Sequence, residues 1–499
     1  MERLSISLAD YALNDVGLGQ ASMQEVAELQ KALSAGALQG GATLNSSSAS
    51  GAPLKIESLE NTLKVITFKE SDIVLWKKIP KLAATNTVEE YVQLADYGNL
   101  NGGFTNEGEL PESDDATYIR KAQFVKYMGT TRSVTIPMQL VNTIGGNIVQ
   151  QQIKAGTLHI LRQADRALTF GNSAIVPQEF DGLFSQQKAL YASILAWYSS
   201  GLVIDMKGKA LTEDSLETAS LSIIENHGEG SLFMAPPKVL SNFVKRFSEF
   251  KMIQPNTPAV SAGQMGQRVD KFWSQFGAID LGYDKFMTPN TPKTLASTAH
   301  PKAPTAPTAD AVAAKAAVAD AASTQFSGFN GDYRYAVSAI NRFGESVLTN
   351  LSLAAGINAK VTVAATESVD LKFADGGGTY PATGYRIYRS VKNTAAATAA
   401  ADTFYPIFDV SVAELTAGYN GAAAGLVRDR NFFIENTSMA FMIDPSDDVW
   451  SFKQLSPLMK MDLARIDASD RFMILMFGTP ILYAPKKMTT FINIGSDLT

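Results

Sequence analysis

The chain of 499 residues contains no cysteine. This absence excludes disulfide bonds, thiolate nucleophiles and every metal site that needs a cysteine ligand. Histidine is almost as scarce, because only His159, His227 and His300 occur, and they are widely separated in the chain. Three scattered imidazoles do not have the spacing of a metal or catalytic site. The sequence therefore predicts no catalytic residue, no metal centre and no cofactor.

The chain also lacks a strong charge of either sign and a long apolar run. Its charged residues make up 18% and its formal net charge is −6, so there is no global positive field to hold nucleic acid. The longest apolar run, 472–484, is interrupted by Gly478, Thr479 and Pro480. A membrane helix needs about 20 apolar residues. We therefore expect neither sequence-specific DNA binding nor a membrane segment.

Composition and periodicity divide the chain into seven segments. Alanine, glycine and serine dominate residues 34–53, so the weak helix predicted over 1–33 is a separable appendage. A second low-complexity bridge, 291–325, leads into period-two strands that are typical of an all-β sandwich. The predicted segments are a helix with its tether (1–53), an arm (54–86), a long hairpin (87–136), a long helix (137–172), an α/β domain (173–300), an inserted β-sandwich (301–436) and returning strands (437–499).

The hairpin and the long helix are unusually extended for one globular domain. Residues 87–97 and 117–136 read as strands joined by a glycine-rich tip, and few of their apolar residues face inward. Pro137 opens a helix that Gly171 ends, and about 32 residues would form a rod of about 48 Å. Further along, Thr212 predicts a helix N-cap, and Leu232–Ala235 predicts a short buried strand. Elements as extended as the hairpin are usually stabilised by a neighbouring molecule.

The order of these segments resembles the Hong Kong 97-type capsid fold of tailed bacteriophages. Phe170-Gly171-Asn172 and Phe180–Leu183 resemble the family's junction after its long helix, and Phe233–Pro237 resembles a strand of its axial domain. The stretch 457–464 and the word Ile387-Tyr388-Arg389 are similar to capsid proteins of large myophages of Gram-positive hosts, which carry an inserted β-domain. The resemblance covers roughly residues 54–499.

This resemblance implies an α+β fold of the Hong Kong 97 type. Its parts would be an N-arm, an extended loop, a peripheral domain with a long spine helix, an axial domain and an inserted all-β Ig-like sandwich. It further implies a structural major capsid protein, and not an enzyme, that self-assembles as hexamers and pentamers into an icosahedral head shell around double-stranded DNA. An encapsulin-like cargo shell protein and a tail-sheath or adhesin protein are the alternatives.

The implied partners follow from that function. Besides other copies of itself, the subunit would meet a portal, a scaffolding protein and a protease during assembly, and a decoration protein on the outer face; no membrane is involved. It would reside in the host cytoplasm before assembly and in the virion afterwards. We also expect the inserted segment 301–436 to have its own core and to be dispensable for the shell.

The hairpin supplies the candidate contact residues between subunits. Its tip and its returning strand carry opposite charges, namely Glu107, Glu109, Glu112, Asp114 and Asp115 against Arg120, Lys121 and Lys126. Ion pairs between such exposed groups contribute about 0.2–1 kcal/mol each, so they would set register more than strength. The family sometimes forms lysine–asparagine crosslinks, for which Lys121 or Lys126 would be the donor. No asparagine is singled out by the sequence, so we expect non-covalent assembly.

Overall fold

The computed structural model describes residues 67–98, 104–110, 115–141, 147–247, 269–287, 291–310, 315–351, 360–465 and 467–495. All of them belong to one unit, Val65–Val141 together with Asn147–Thr499. The predicted helix and tether of 1–53, and the arm up to residue 66, lie outside the described residues.

Helices and strands alternate through the first part of the chain, which we call the body together with the strands that return after residue 436. The helices of the body are α1 (Leu75–Lys78), α2 (Ile136–Leu140), α3 (Ile148–Phe170), α4 (Leu183–Lys188), α5 (Ile194–Tyr198), α6 (Glu213–Glu225) and α7 (Pro237–Phe247). Its first strands are β1 (Lys81–Ala83), β2 (Val88–Asp96), β3 (Thr117–Phe124), β4 (Lys126–Thr135), β5 (Val203–Asp205), β6 (Leu232–Ala235), β7 (Lys271–Ser274) and β8 (Gly277–Tyr283). As predicted, Thr212 caps α6, because its Oγ1 accepts a hydrogen bond of 3.1 Å from Ser215 N.

The inserted segment 301–436, which we call the module, consists mainly of strands. These are β9 (Thr308–Ala309), β10 (Lys315–Ala319), β11 (Gly331–Tyr333), β12 (Tyr335–Asn341), β13 (Gly344–Glu345), β14 (Thr349–Leu351), β15 (Val361–Val363), β16 (Glu367–Ala374), β17 (Gly384–Ser390), β18 (Phe404–Ser411) and β19 (Leu426–Asp429), with α8 (Val412–Ala417) after β18. One sheet has the order β13-β12-β17-β18, with β14 also on β12, and a second has the order β10-β16-β19, with β9 also on β16. Every residue of β12 is buried, so this strand forms the centre of the module.

The chain then returns to complete two sheets of the body with β20 (Ser438–Ile443), β21 (Trp450–Asp462), β22 (Ser469–Leu482) and β23 (Met488–Ile494). A six-stranded sheet has the order β5-β23-β20-β6-β8-β7, and a four-stranded sheet has the order β1-β21-β22-β4. A continuous core of buried side chains connects these sheets with α3 and α6, and it includes Leu216, Phe233, Phe441, Trp450 and Phe491.

One strand replaces the two that the sequence predicts over 472–477 and 481–483. β22 runs through Pro480, whose missing N–H would normally interrupt a strand between two neighbours. The pairing with β4 ends at Gly478, so at Pro480 only β21 lies alongside, with Phe452 as the paired residue. The proline is tolerated because one edge of the strand has no hydrogen-bonded neighbour strand at that position.

The predicted hairpin of 87–136 is wrong in its second half. β2 pairs with β3 in antiparallel register from Val88↔Phe124 to Asp96↔Thr117. At Val125, which is buried, the chain leaves this pair, and β4 joins β22 in the four-stranded sheet instead. Alternation at period two persists through both stretches, so it could not reveal the change of partner.

The predicted helix over 137–172 is also shorter than expected. α2 ends where Val141 takes an extended conformation, and α3 begins at Asn147, whose Oδ1 accepts hydrogen bonds of 2.9 Å from Val149 N and 3.4 Å from Gln150 N. The 23 residues of α3 span about 35 Å. Gly171 ends it, as predicted, but for a packing reason: a Cβ there would lie 2.3 Å from Phe180 O and 2.6 Å from Ala167 O. No helix in the described part of the chain is long and apolar enough to cross a membrane.

The buried side chains of the module form clusters that are separate from the main core of the body. The larger of these clusters extends into the body, where it includes Ile194, Trp197 and Ile492. At the junction Asn493 Nδ2 donates to Phe432 O at 2.9 Å, and Asn493 Oδ1 accepts from Ile434 N at 2.8 Å. The module is therefore joined to the body through an apolar contact and hydrogen bonds at this junction.

A fully buried arginine organises the interior of the module. The guanidinium of Arg389 on β17 forms ion pairs with Asp429 at 2.7 Å and with Glu435 at 2.5 Å. It also donates 2.6 Å to Asn431 Oδ1, and its Cζ lies 4.9 Å from the ring centroid of Tyr333. Ion pairing with two carboxylates raises the pKa of Arg389 even though burial opposes it, so the side chain stays charged inside the core.

Candidate interaction surface

The hairpin formed by β2 and β3 has one face directed toward its own body. On this inner face Tyr91, Gln93, Lys121 and Gln123 are half-buried. The ring of Tyr91 meets that of Tyr483 edge-on at 5.1 Å between centroids, and Gln93 Nε2 donates to Tyr483 O. Burial, together with the neighbouring phenol of Tyr483, raises the pKa of Tyr91. These contacts fix the base of the hairpin against the loop after β22.

The opposite, outer face of the hairpin carries apolar side chains that nothing in the described structure covers. Four of them form what we call the outer patch, with exposed fractions of 63% for Val92, 40% for Leu94, 66% for Tyr118 and 61% for Phe124. Leu94 lies directly opposite Tyr118 in the register, and Val92 lies opposite Arg120. The ion pair of Arg120 with Glu90 lies on the same face, between Phe124 and the other three side chains. Exposed apolar side chains grouped in this way, with charged groups beside them, usually mark a site of protein–protein contact.

The predicted acidic residues of the tip are described only in part. Glu107 and Glu109 are exposed, and Glu109 Oε2 accepts a hydrogen bond of 2.8 Å from Asn106 Nδ2 within the same turn. Asp115 is also exposed, whereas Glu112 and Asp114 lie outside the described residues. None of the three described carboxylates forms an ion pair with another described residue, so they are available to a partner.

The predicted basic residues lie apart from that tip and have local neighbours. Arg120 pairs with Glu90 on the adjacent strand of its own hairpin, and Lys126 Nζ donates 2.6 Å to Pro177 O. Lys121 lines a cavity of about 870 Å³ at the hairpin base, between α4 and the module. Among the described members, the acidic and basic sets are not brought together in a single site.

The outer patch was missed by reasoning from the sequence, although a signal for it was present. Val88, Val92 and Leu94 recur at period two along β2, as do Tyr118, Ala122 and Phe124 along β3. The register places both series on the same face. Without the register, the two series could equally have been assigned to the face that packs on the body.

No group of three or more histidine or acidic residues that could hold a metal ion occurs within the described ranges.

Comparison with known proteins identifies the family of the chain. A family model, SU10 major capsid protein, matches residues 38–344. The major capsid protein of Staphylococcus phage K is 24% identical over 448 residues, which cover 88% of this chain and 90% of that protein. A putative major capsid protein of Enterococcus phage phiEF24C is 23% identical over 465 residues, with 89% and 90% covered.

Among solved structures, the capsid of a native GTA particle is similar with a TM-score of 0.45 and 8% identity, over 90% of this chain and 99% of that one. The assignment rests on the family model, whose match spans more than half of the sequence. The chain belongs to the SU10 major capsid protein family.

Proposed function

We propose that the hairpin of one subunit lies over a neighbouring copy when this major capsid protein assembles into hexamers and pentamers. The protein is a structural component of the phage head shell and not an enzyme, and its family decides against a cargo shell or a tail sheath. A second copy of the chain is therefore the partner that every subunit must meet. The single observation that carries the proposal is the outer patch, which faces away from the subunit's own body.

Magnitudes favour the outer patch over the charged tip as the source of binding energy. Complete burial of a large apolar side chain contributes about 1.5–3 kcal/mol. Exposed ion pairs, such as those expected for Glu107, Glu109 and Asp115, contribute about 0.2–1 kcal/mol each. Four apolar side chains therefore outweigh three surface carboxylates, and the carboxylates would set the register of the contact.

The finer organisation of the subunit is part of the same proposal. We assign residues 54–86 to an N-arm, the β2–β3 hairpin to the extended loop, α3 to the spine helix of a peripheral domain, and the six-stranded sheet to the axial domain of a Hong Kong 97-type fold. The order of the elements supports this assignment. The two sheets of the module, with strands pairing antiparallel, support an Ig-like domain, which we place on the outer face of the shell.

The environment of the subunit follows from shell assembly. The subunit would be made in the host cytoplasm, assembled with a portal, a scaffolding protein and a protease, and bound outside by a decoration protein. Its net charge of −6 supports enclosure of double-stranded DNA without adhesion to it.

Replacing Leu94 and Tyr118 together by serine should abolish shell assembly and leave the subunit folded. Both side chains are exposed in the isolated chain, so their loss removes contacts to a neighbour and leaves the buried core of the subunit intact. Circular dichroism should give an unchanged melting temperature, and negative-stain microscopy should find no shells.

The matched control is Val391→Ser with Val412→Ser, which removes two exposed valines of the module, 36% and 39% exposed. This control should assemble as wild type does. Normal shells from the Leu94/Tyr118 variant would refute the role of the hairpin.

A further inference from the structure

Three separate parts of the chain meet at a pair of buried carboxyl groups. Asp165 lies on α3 and Asp284 follows β8, and both are 0% exposed. The backbone N–H of Trp76 in α1 donates to Asp165 Oδ1 at 2.6 Å, and the N–H of Phe286 donates to Asp284 Oδ1 at 2.8 Å. Each carboxyl group influences the pKa of the other, as expected for two buried groups that lie close together.

The turn that contains Asp284 also contacts the segment 68–79, which precedes β1 and which we call the strap. Lys285 Nζ forms an ion pair of 2.6 Å with Asp72, and the ring of Phe286 meets that of Phe68 edge-on at 5.3 Å between centroids. Ile73 and Leu75 of the strap are fully buried. The carboxyl pair is therefore at the centre of the contacts that hold the strap on α3.

The hydrogen-bond inventory of the pair is incomplete without an additional proton. Oδ2 of Asp165 and Oδ2 of Asp284 are both buried, and neither has a hydrogen-bond partner of good geometry among the described residues, although the backbone N–H of Val74 lowers the pKa of Asp165. An ionised carboxylate only accepts hydrogen bonds, so two ionised groups at this distance would repel each other in a medium of low dielectric constant. One proton between the two side chains converts this repulsion into a hydrogen bond.

We propose that Asp165 and Asp284 share one proton and form a clamp that holds the strap on α3, and that loss of this proton releases the strap. The clamp is a conformational device within the subunit, independent of the contact made by the hairpin. It acts on the point where the strap, the long helix and the six-stranded sheet are joined.

The electrostatic surroundings support this assignment. Burial, followed by the charge of Asp284, raises the pKa of Asp165 to about 8, and burial also raises the pKa of Asp284. The cations on the adjoining elements are engaged elsewhere: Lys285 pairs with Asp72, Arg162 of α3 lies over the Phe68 ring, and Lys77 of α1 donates to Glu70 O. Lys78 of α1 lies toward Gly282 of β8. None of these four cations is among the main influences on either carboxyl group.

The direction of the pH effect follows from the raised pKa values. The folded chain binds more protons than the unfolded chain between the ordinary pKa of 3.8 and about 8. The stability that the clamp contributes is therefore full below the lower value and is lost as the pH rises through about 8. Alkaline conditions should open the clamp.

The test is hydrogen exchange of the full-length protein, with Asp284→Asn compared with wild type at each pH. The amide of asparagine donates an N–H permanently and so mimics the shared proton. At pH 5.5 peptides from 73–79 should exchange alike in both proteins. At pH 9 the wild-type peptides should exchange faster by about tenfold or more, since one pKa unit corresponds to a factor of ten.

Three further comparisons keep this result specific. Asp165→Asn should show the same alkaline protection, and peptides from β12 should exchange equally in every variant at each pH. Asp72→Asn, which removes the neighbouring exposed ion pair, should keep the wild-type pH dependence. A wild-type to Asp284→Asn ratio that does not change between pH 5.5 and pH 9 would overturn the proposal.

Discussion

Replacing Arg389 by alanine should lower the free energy of unfolding by about 3–5 kcal/mol, because a buried ion pair that loses one partner leaves uncompensated charge behind. Asp429 and Glu435 are both almost fully buried and would lose their shared cation. The loss should be measurable as a shift of the urea midpoint with an unchanged slope.

Arg120→Ala is the matched control for this experiment. Arg120 also forms an ion pair with a glutamate, but its side chain is 70% exposed. Exposed pairs contribute about 0–1 kcal/mol, so the control should unfold almost as wild type does. Equal destabilisation by the two substitutions would show that burial does not explain the contribution of Arg389 to stability.

Replacing residues 301–436 by a short glycine–serine linker should produce an aggregating subunit. Ile194, Trp197 and Ile492 are buried by the module and would be exposed together. Trp197 alone is 2% exposed in the intact chain. We expect its exposure to lower the free energy of unfolding about as much as replacing a buried tryptophan by alanine does, which is about 3–5 kcal/mol. The soluble fraction and the elution volume in size-exclusion chromatography would report the effect.

A second shortened chain separates aggregation from misfolding. Adding Ile194→Gln and Trp197→Gln to the deletion should recover soluble protein, since the newly exposed surface is then polar. If the first shortened chain is already soluble and assembles into particles of normal size, the module is a dispensable decoration after all.

Local signals in the sequence were sufficient for elements whose partners are close in the chain. Thr212 and Ser215 cap α6 through contacts three residues apart, and the uninterrupted apolar run of β6 predicts a strand buried on both faces. The pairing of β2 with β3 follows from alternation on either side of a glycine-rich tip. Such features require no knowledge of the rest of the fold.

Features that depend on distant partners could not be predicted in the same way. Alternation in β17 indicates a strand, but it gives no hint that Arg389 points inward, because its counter-charges come from beyond β18. The same holds for Asp165 and Asp284, which are ordinary charged residues until the fold brings them together. The residues of the outer patch could have been predicted from the sequence if the register of β2 and β3 had been known.

The position of β23 has a consequence for folding of the subunit during translation. β23 lies in the interior of the six-stranded sheet, between β5 and β20, yet it is translated after every other strand of that sheet. Its neighbour β5 begins at Val203 and pairs with it in parallel, so β5 is not joined to β6, β7 and β8 while the module is synthesised. Ile492 and Asn493, which complete the junction with the module, arrive on the same strand. A nascent chain therefore cannot complete its fold before β23 is translated. Association between incomplete chains on the same messenger RNA is disfavoured until this strand is inserted.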